Sequence, residues 1–271
     1  MRLPHTRDLA GLDVALLGIP FDGGVSYRPG PRFAPREIRQ HSSLIRPYHP
    51  VHDISPFDIL RVADTGDVDT NPLNIEDTYA RVRTAVGAIL EAGAIPICVG
   101  GDHSLSLPIL RAIVERQGPV RLVHVDSHQD MWDEYFGNRY FHGTPFRRAV
   151  EEGLLDGGRV VQIGIRGPVY DASDFDFGRA HGVRTLRAEE IGRRGIEWVK
   201  EEMRAVHGGP VYRARPRVRQ DQRTSRGRTS PSPTWRHFPK MTLSRSSEGS
   251  GTRRRYTGAR RWASSSRWRT A

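Results

Sequence analysis

Three residues with metal-ligating side chains stand at alternate positions, Asp126, His128 and Asp130, at the end of the apolar run 120–125. A strand sends every second side chain to one face, so two carboxylates and an imidazole leave the strand end together. A second apolar run, 94–99, leads into Gly100-Gly101-Asp102-His103-Ser104, which puts His103 just beyond its end. In a parallel α/β sheet the carboxyl ends of the strands share one edge, and sites are built there. His103, Asp126, His128 and Asp130 are therefore expected to converge from two strands. Carboxylate oxygen mixed with imidazole nitrogen suits Mn²⁺ or a related divalent ion better than a thiolate-seeking one. Taken alone, Asp-x-His-x-Asp is also what an ordinary strand-to-loop transition contains. The pairing with the His103 segment favours the metal reading. Asp102 either positions His103 or caps the helix that follows. His124 has the same parity as Asp126 and His128 but is read as a packed strand residue.

The elements that must hold these residues alternate. Strands are expected at residues 13–19, 60–64, 94–99, 120–125, 160–165 (taken as apolar throughout) and 183–186. Helices are expected at 35–43, 75–90, 105–117 and over most of 188–206. The clearest helix carries Ile75, Tyr79, Val82, Val86, Ile89 and Leu90 on one face and ends at Gly93. Pro96 argues against a central strand position, although Pro is tolerated at a strand's start. Strand–helix alternation implies crossover connections and a parallel sheet covered on both faces. The loop Pro20-Phe21-Asp22-Gly23-Gly24 lacks G-x-G-x-x-G, and no Walker pattern follows, so a nucleotide site is not expected.

Length allows one large α/β domain or two smaller ones. The N-terminus has no apolar core of the signal-peptide kind, and no run is long enough to span a membrane. The single cysteine, Cys98, excludes an intrachain disulfide. It fits a cytoplasmic protein with a buried structural thiol. The net charge of +11 would suggest a nucleic-acid partner, but it is unevenly spread. Residues 213–271 hold 17 of the 42 Lys+Arg and 2 of the 31 Asp+Glu, which leaves residues 1–212 with a net charge of −4.

The ordered set of motifs resembles the ureohydrolases, the family of arginases, agmatinases and guanidinobutyrases. Gly-Gly-Asp-His-Ser at 100–104 and Asp-x-His-x-Asp at 126–130 are similar to two of its metal motifs. Ser26-Tyr27-Arg28-Pro29-Gly30, Gly66-Asp67-Val68, His142-Gly143-Thr144-Pro145 and Gln162-Ile163-Gly164-Ile165-Arg166 are similar to its other landmarks. Within the family the chain resembles the agmatinase, guanidinobutyrase and proclavaminate amidinohydrolase branch. The resemblance implies a three-layer α/β/α sandwich and two Mn²⁺ ions per site. It also implies hydrolysis of a linear guanidino compound, such as agmatine or 4-guanidinobutanoate, to urea and an amine. By resemblance, His103 and Asp130 bind one ion, His128 binds the other, and Asp126 bridges both. His142 matches the histidine that moves a proton to the leaving amine, a role suited to a side chain titrating near neutral pH. Arg28 and Tyr140 are expected to line the substrate pocket. Family members are commonly trimers or hexamers. Formimidoylglutamate is the alternative substrate for the same centre.

The resemblance stops near residue 212. Where the family carries Ser-x-Asp-x-Asp-x-x-Asp-Pro, this chain reads Arg213-Ala214-Arg215-Pro216-Arg217-Val218-Arg219-Gln220. From 213 onward the only Val, Leu, Ile, Met or Phe residues are Val218, Phe238, Met241 and Leu243, too few to build a core. Two parts are expected: a truncated ureohydrolase-like domain, 1–212, and a disordered basic segment, 213–271, of the kind a shifted reading frame produces. Two further strands, which by resemblance lie between those ending in His103 and Asp126, are expected to be missing. The alternative is an inactive relative that lacks the second aspartate pair and whose basic tail binds nucleic acid or another partner.

Overall fold

The computed structural model describes residues 3–206. The sequence Pro210-Val211-Tyr212, which reads as the opening of one more strand, and everything expected of 213–271 lie outside the described residues. In chain order the elements are β1 (Val14–Ile19), α1 (Ala34–His41), α2 (Pro56–Ile59), β2 (Val62–Asp67), α3 (Ile75–Glu91), β3 (Ile95–Gly100), α4 (Ser106–Gln117), β4 (Val120–Val125), α5 (Pro145–Glu151), β5 (Leu155–Ile165), α6 (Asp176–Ala180), β6 (Arg184–Arg187) and α7 (Ala188–Ala205), with short 3₁₀ turns between some of them.

All strand pairs are parallel. They form two three-stranded sheets, ordered β2-β1-β3 and β4-β5-β6. Helices cover both faces, because side chains alternate along each strand. Ala15, Leu17 and Ile19 of β1 meet Val82, Val86 and Ile89 of α3. On β5, Val160 joins the cluster built with α4 and α5, while its neighbour Val161 packs with Trp198 and Val199 of α7. This is the expected α/β/α layering.

α3 shows how local sequence sets an element. The Asn74 side chain accepts a hydrogen bond from the Asp77 N–H at 3.0 Å, satisfying a free donor of the first turn. At the other end Gly93, at φ 80°, takes the left-handed conformation that stops the helix. Pro96 is the second residue of β3, which pairs only with β1 among the described residues, so its missing N–H is tolerated.

The structure differs from the sequence reading at β2, which runs three residues further than expected, at the short helices α2 and α6, which were not foreseen, and at the following points. β5 begins at Leu155, five residues earlier than expected, because Gly157 lets the chain pass against the His181 carbonyl, where a Cβ would lie 2.2 Å away. Its Gln162 is polar and fully buried, so the strand is not apolar throughout. α5 was not foreseen: its seven residues include Arg148, buried by ion pairs to Asp133 (2.7 Å) and Glu151 (2.9 Å). α7 is broken at Gly195, where φ is 80° and ψ 176°.

The two sheets do not pair with each other, and no described strand lies between β3 and β4. The edges they present are unusually apolar: Ile97 is 48% exposed, Val123 45% and Val125 74%. No helix of the described residues is long and apolar enough to cross a membrane.

Candidate metal centre

The segments that follow β3 and β4 meet, and they carry the expected ligands. After β3, Gly101 lies so close to the Phe21 carbonyl that a Cβ would sit 1.6 Å from its oxygen. The Asp102 N–H donates to the same carbonyl at 2.9 Å. The Asp102 carboxylate then accepts from Ser104 N–H (2.8 Å), capping the 3₁₀ turn that contains His103, and from Gly24 N–H (2.8 Å). Capping is thus its observed contact, extended to a second loop. The Gly24 carbonyl accepts from His142 N–H at 2.9 Å, so one glycine joins the His103 and His142 segments.

His103, His124, Asp126 and Asp130 each offer a donor atom, and these atoms lie within 4.8 Å of one another. His103 Nδ1 is 2.6 Å from Asp130 Oδ2 and 3.6 Å from Asp126 Oδ2. His124 Nε2 is also 3.6 Å from Asp126 Oδ2, while His128 Nδ1 faces the other oxygen, Oδ1, at 3.7 Å. The Asp126 carboxylate therefore stands between histidines on two sides. Its Oδ1 is fixed by His128 N–H at 2.9 Å. Asp130 has a left-handed backbone, φ 52°, which turns its side chain back toward His103.

Protonation follows this geometry. Burial opposes charge on His103, but the Asp130 carboxylate and the charges of Asp126 and Asp102 outweigh it and raise its pKa. Burial, reinforced by His103, pulls His124 down to about 4. Burial would raise Asp126, yet the His128 N–H and the two histidines hold it below the usual carboxylate range. Burial raises Asp102, its hydrogen bonds notwithstanding. Cys98 is the only thiol, and burial pushes it up to about 12, which leaves it protonated and unreactive.

The chemistry of His103, Asp126 and Asp130, with His128 on the other side of the Asp126 carboxylate, suits a hard or borderline divalent cation: carboxylate oxygen and imidazole nitrogen without a thiolate. His128 and Asp130 turn toward a cavity of about 150 Å³ that also contains His142 and Ser26. His142 Nε2 lies 3.0 Å from Ser26 Oγ. The opposite wall is aromatic, with Trp132, Tyr135 and Tyr170, and the faces of Trp132 and Tyr135 are stacked at 6.0 Å. A second opening of about 350 Å³, lined by Cys98, His103, Ile109 and Asp126, lies on the side of the cleft between β3 and β4.

The other two expected residues lie elsewhere. Tyr140 packs edge-on against Tyr79 and beside Arg111, in a recess over α3 and α4 rather than in the His142 cavity. Arg28 is exposed, with its guanidinium over the Tyr27 ring. The aromatic wall escaped the sequence reading, although four rings within ten residues of Asp130 (Trp132, Tyr135, Phe136, Tyr140) were a visible sign of a lined pocket.

Comparison with known proteins agrees with this arrangement. A guanidinobutyrase of Pseudomonas aeruginosa is 49% identical over 216 residues, covering 78% of this chain and 68% of that protein. A guanidinopropionase of the same organism is 49% identical over 214 residues, covering 78% and 67%. The solved structure of proclavaminate amidinohydrolase from Streptomyces clavuligerus superposes with a TM-score of 0.73 at 40% identity, over 78% of this chain and 70% of that one. The chain thus spans about two thirds of the length of these hydrolases. Residues 12–214 match the Arginase family. With its parallel sheets, its ligand-bearing loops and a match over three quarters of its length, the chain belongs to the arginase family.

Proposed function

We propose that this protein is built for metal-dependent hydrolysis of a linear guanidino compound, of the agmatine or 4-guanidinobutanoate type, to urea and an amine. The observation that carries the reading is the convergence of His103, Asp126 and Asp130 beside a cavity that contains His142 and an aromatic wall. His103, Asp126, His128 and Asp130 are the proposed ligands of Mn²⁺, with Asp126 shared between two positions because its oxygens face opposite histidines. Bound divalent ions would supply Lewis acidity and a nucleophile at neutral pH. The aromatic faces favour a guanidinium in the cavity. His142, held by Ser26 and by its backbone bond to Gly24, is proposed to deliver a proton to the leaving amine nitrogen. Arg28, two residues beyond Ser26, is proposed to meet the far end of the substrate.

One observation favours a second reading. The sequence lacks Ser-x-Asp-x-Asp and continues instead as a basic segment, which we assign to a shifted reading frame near codon 213. The chain as given would then be an inactive relative of a cytoplasmic, oligomeric enzyme. Mn²⁺ titration followed by a urea assay with both substrates separates the readings. About two tight ions per chain and urea release support the enzyme; one ion or none, without urea, supports the inactive relative. In the active case His142→Ala lowers turnover by about 10²–10⁴ while leaving Mn²⁺ affinity in place. Equal loss of both would remove His142 from the proton-transfer role.

A further inference from the structure

His124 is 5% exposed, and its Nε2 lies with the donor atoms of His103, Asp126 and Asp130, where a metal ligand would stand. Its other nitrogen argues for a different task. In the β4–β5 register His124 stands opposite Gln162, which is fully buried. The Gln162 amide nitrogen is 2.7 Å from the Gln129 carbonyl oxygen and 3.2 Å from His124 Nδ1. A carbonyl oxygen only accepts, so the atom facing Gln129 must be the NH₂ group. The reversed amide would set two oxygens 2.7 Å apart. The observed orientation leaves Gln162 Oε1 without a partner, a smaller penalty than that repulsion.

The NH₂ group has two hydrogens; one goes to Gln129 and the other points at His124 Nδ1. Nδ1 must then be the unprotonated, accepting nitrogen. A doubly protonated ring is excluded by the same contact, since it would oppose N–H to N–H. The single ring proton therefore resides on Nε2, which faces Asp126 Oδ2 at 3.6 Å, just beyond hydrogen-bond distance. A ligating histidine shows the opposite pattern: its remote nitrogen donates to a carbonyl or carboxylate and leaves the near lone pair free.

We infer that Gln162 fixes the His124 ring with its Nε2–H turned toward Asp126 Oδ2, 3.6 Å away, making it a positioning residue of the proposed metal centre and not one of its ligands. The same amide anchors the Gln129 carbonyl immediately before the left-handed turn at Asp130, so one buried side chain touches both the strand residue that faces Asp126 and the loop that carries Asp130. The metal-affinity part of this inference rests on the proposed function; the tautomer part does not.

The test uses the full 271-residue chain labelled with ¹⁵N in histidine and glutamine side chains. The expected spectrum shows a one-bond N–H coupling at His124 Nε2 and a scalar coupling from the Gln162 amide across the hydrogen bond to Nδ1. A proton on Nδ1, or no coupling to Gln162, overturns the inference. Mn²⁺ titration of two variants gives a second readout. His124→Phe is expected to weaken binding about 10–100-fold, as loss of a supporting partner does. His124→Gln places an amide N–H near the Nε2 position and is expected to recover most of that loss. If His124→Gln binds as poorly as His124→Phe, His124 is a ligand and the inference fails. If the unaltered chain takes up no Mn²⁺, the proposed function fails, and the couplings still decide the tautomer.

Discussion

Two adjacent imidazoles, His103 and His124, have rings 5.2 Å apart and opposite titration behaviour. For His124 the folded pKa, about 4, lies below its ordinary 6.5. Between those values the unfolded chain takes up a proton that the folded chain refuses. Its contribution to stability is therefore full above pH 6.5 and is lost as pH falls toward 4. His103 has the reverse sign: its pKa is raised, so its contribution is present below 6.5 and is lost as pH rises through the raised value. In metal-free protein, urea unfolding measured from pH 7 to 4 should show a fall that is shallower in His124→Phe. Carboxylates remote from His124 contribute to both proteins alike, whereas Asp126 loses one of the histidines that hold it down. An unchanged slope would mean that His124 is not held neutral.

Loops between elements carry the site, and backbone proximity locks them. Gly101 passes against the Phe21 carbonyl with no room for a side chain. Gly101→Ala must push apart the loops after β1 and β3, at a cost of roughly 1–3 kcal/mol by analogy with overpacked cores. Denaturant midpoints and Mn²⁺ affinity should drop together, because the displaced loop holds His103. At this scale much was legible in the sequence. The apolar runs gave β1, β3 and β4 within a residue or two, and the three-to-four spacing gave α3. β3 and β4 then foretold that His103 would meet Asp126 and Asp130. α5 was hidden because Arg148 is buried through ion pairs, which apolar periodicity does not register. The exclusion of Tyr140 from the cavity was equally invisible, since only packing against Tyr79 and Arg111 decides which way that ring turns. Gln162 could have been noticed as a single polar residue inside an apolar strand.

At the scale of the molecule the salient fact is that, among the described residues, β3 and β4 each end a sheet and carry exposed aliphatic side chains. Unpaired edges of this kind recruit other strands. The purified chain is expected to self-associate with rising concentration. Val123→Lys, on the β4 edge, should reduce that association in light scattering without lowering the unfolding free energy by more than about 0.5 kcal/mol. Association that ignores the substitution would mean that another surface is responsible.

The proposed ligands straddle this division: His103 hangs from the sheet of β1–β3, while Asp126 and Asp130 belong to that of β4–β6. An ion held among them would act as a rivet between two sheets that, among the described residues, share no strand hydrogen bonds. Mechanical integrity and chemistry would then depend on the same cation. At a hundredfold excess over the dissociation constant, such an ion adds about 2.7 kcal/mol. A chelator should accordingly lower the melting temperature and loosen the seam, with hydrogen exchange rising first in β3 and β4. Uniform loosening across all six strands would show that helix packing, and not the rivet, joins the halves.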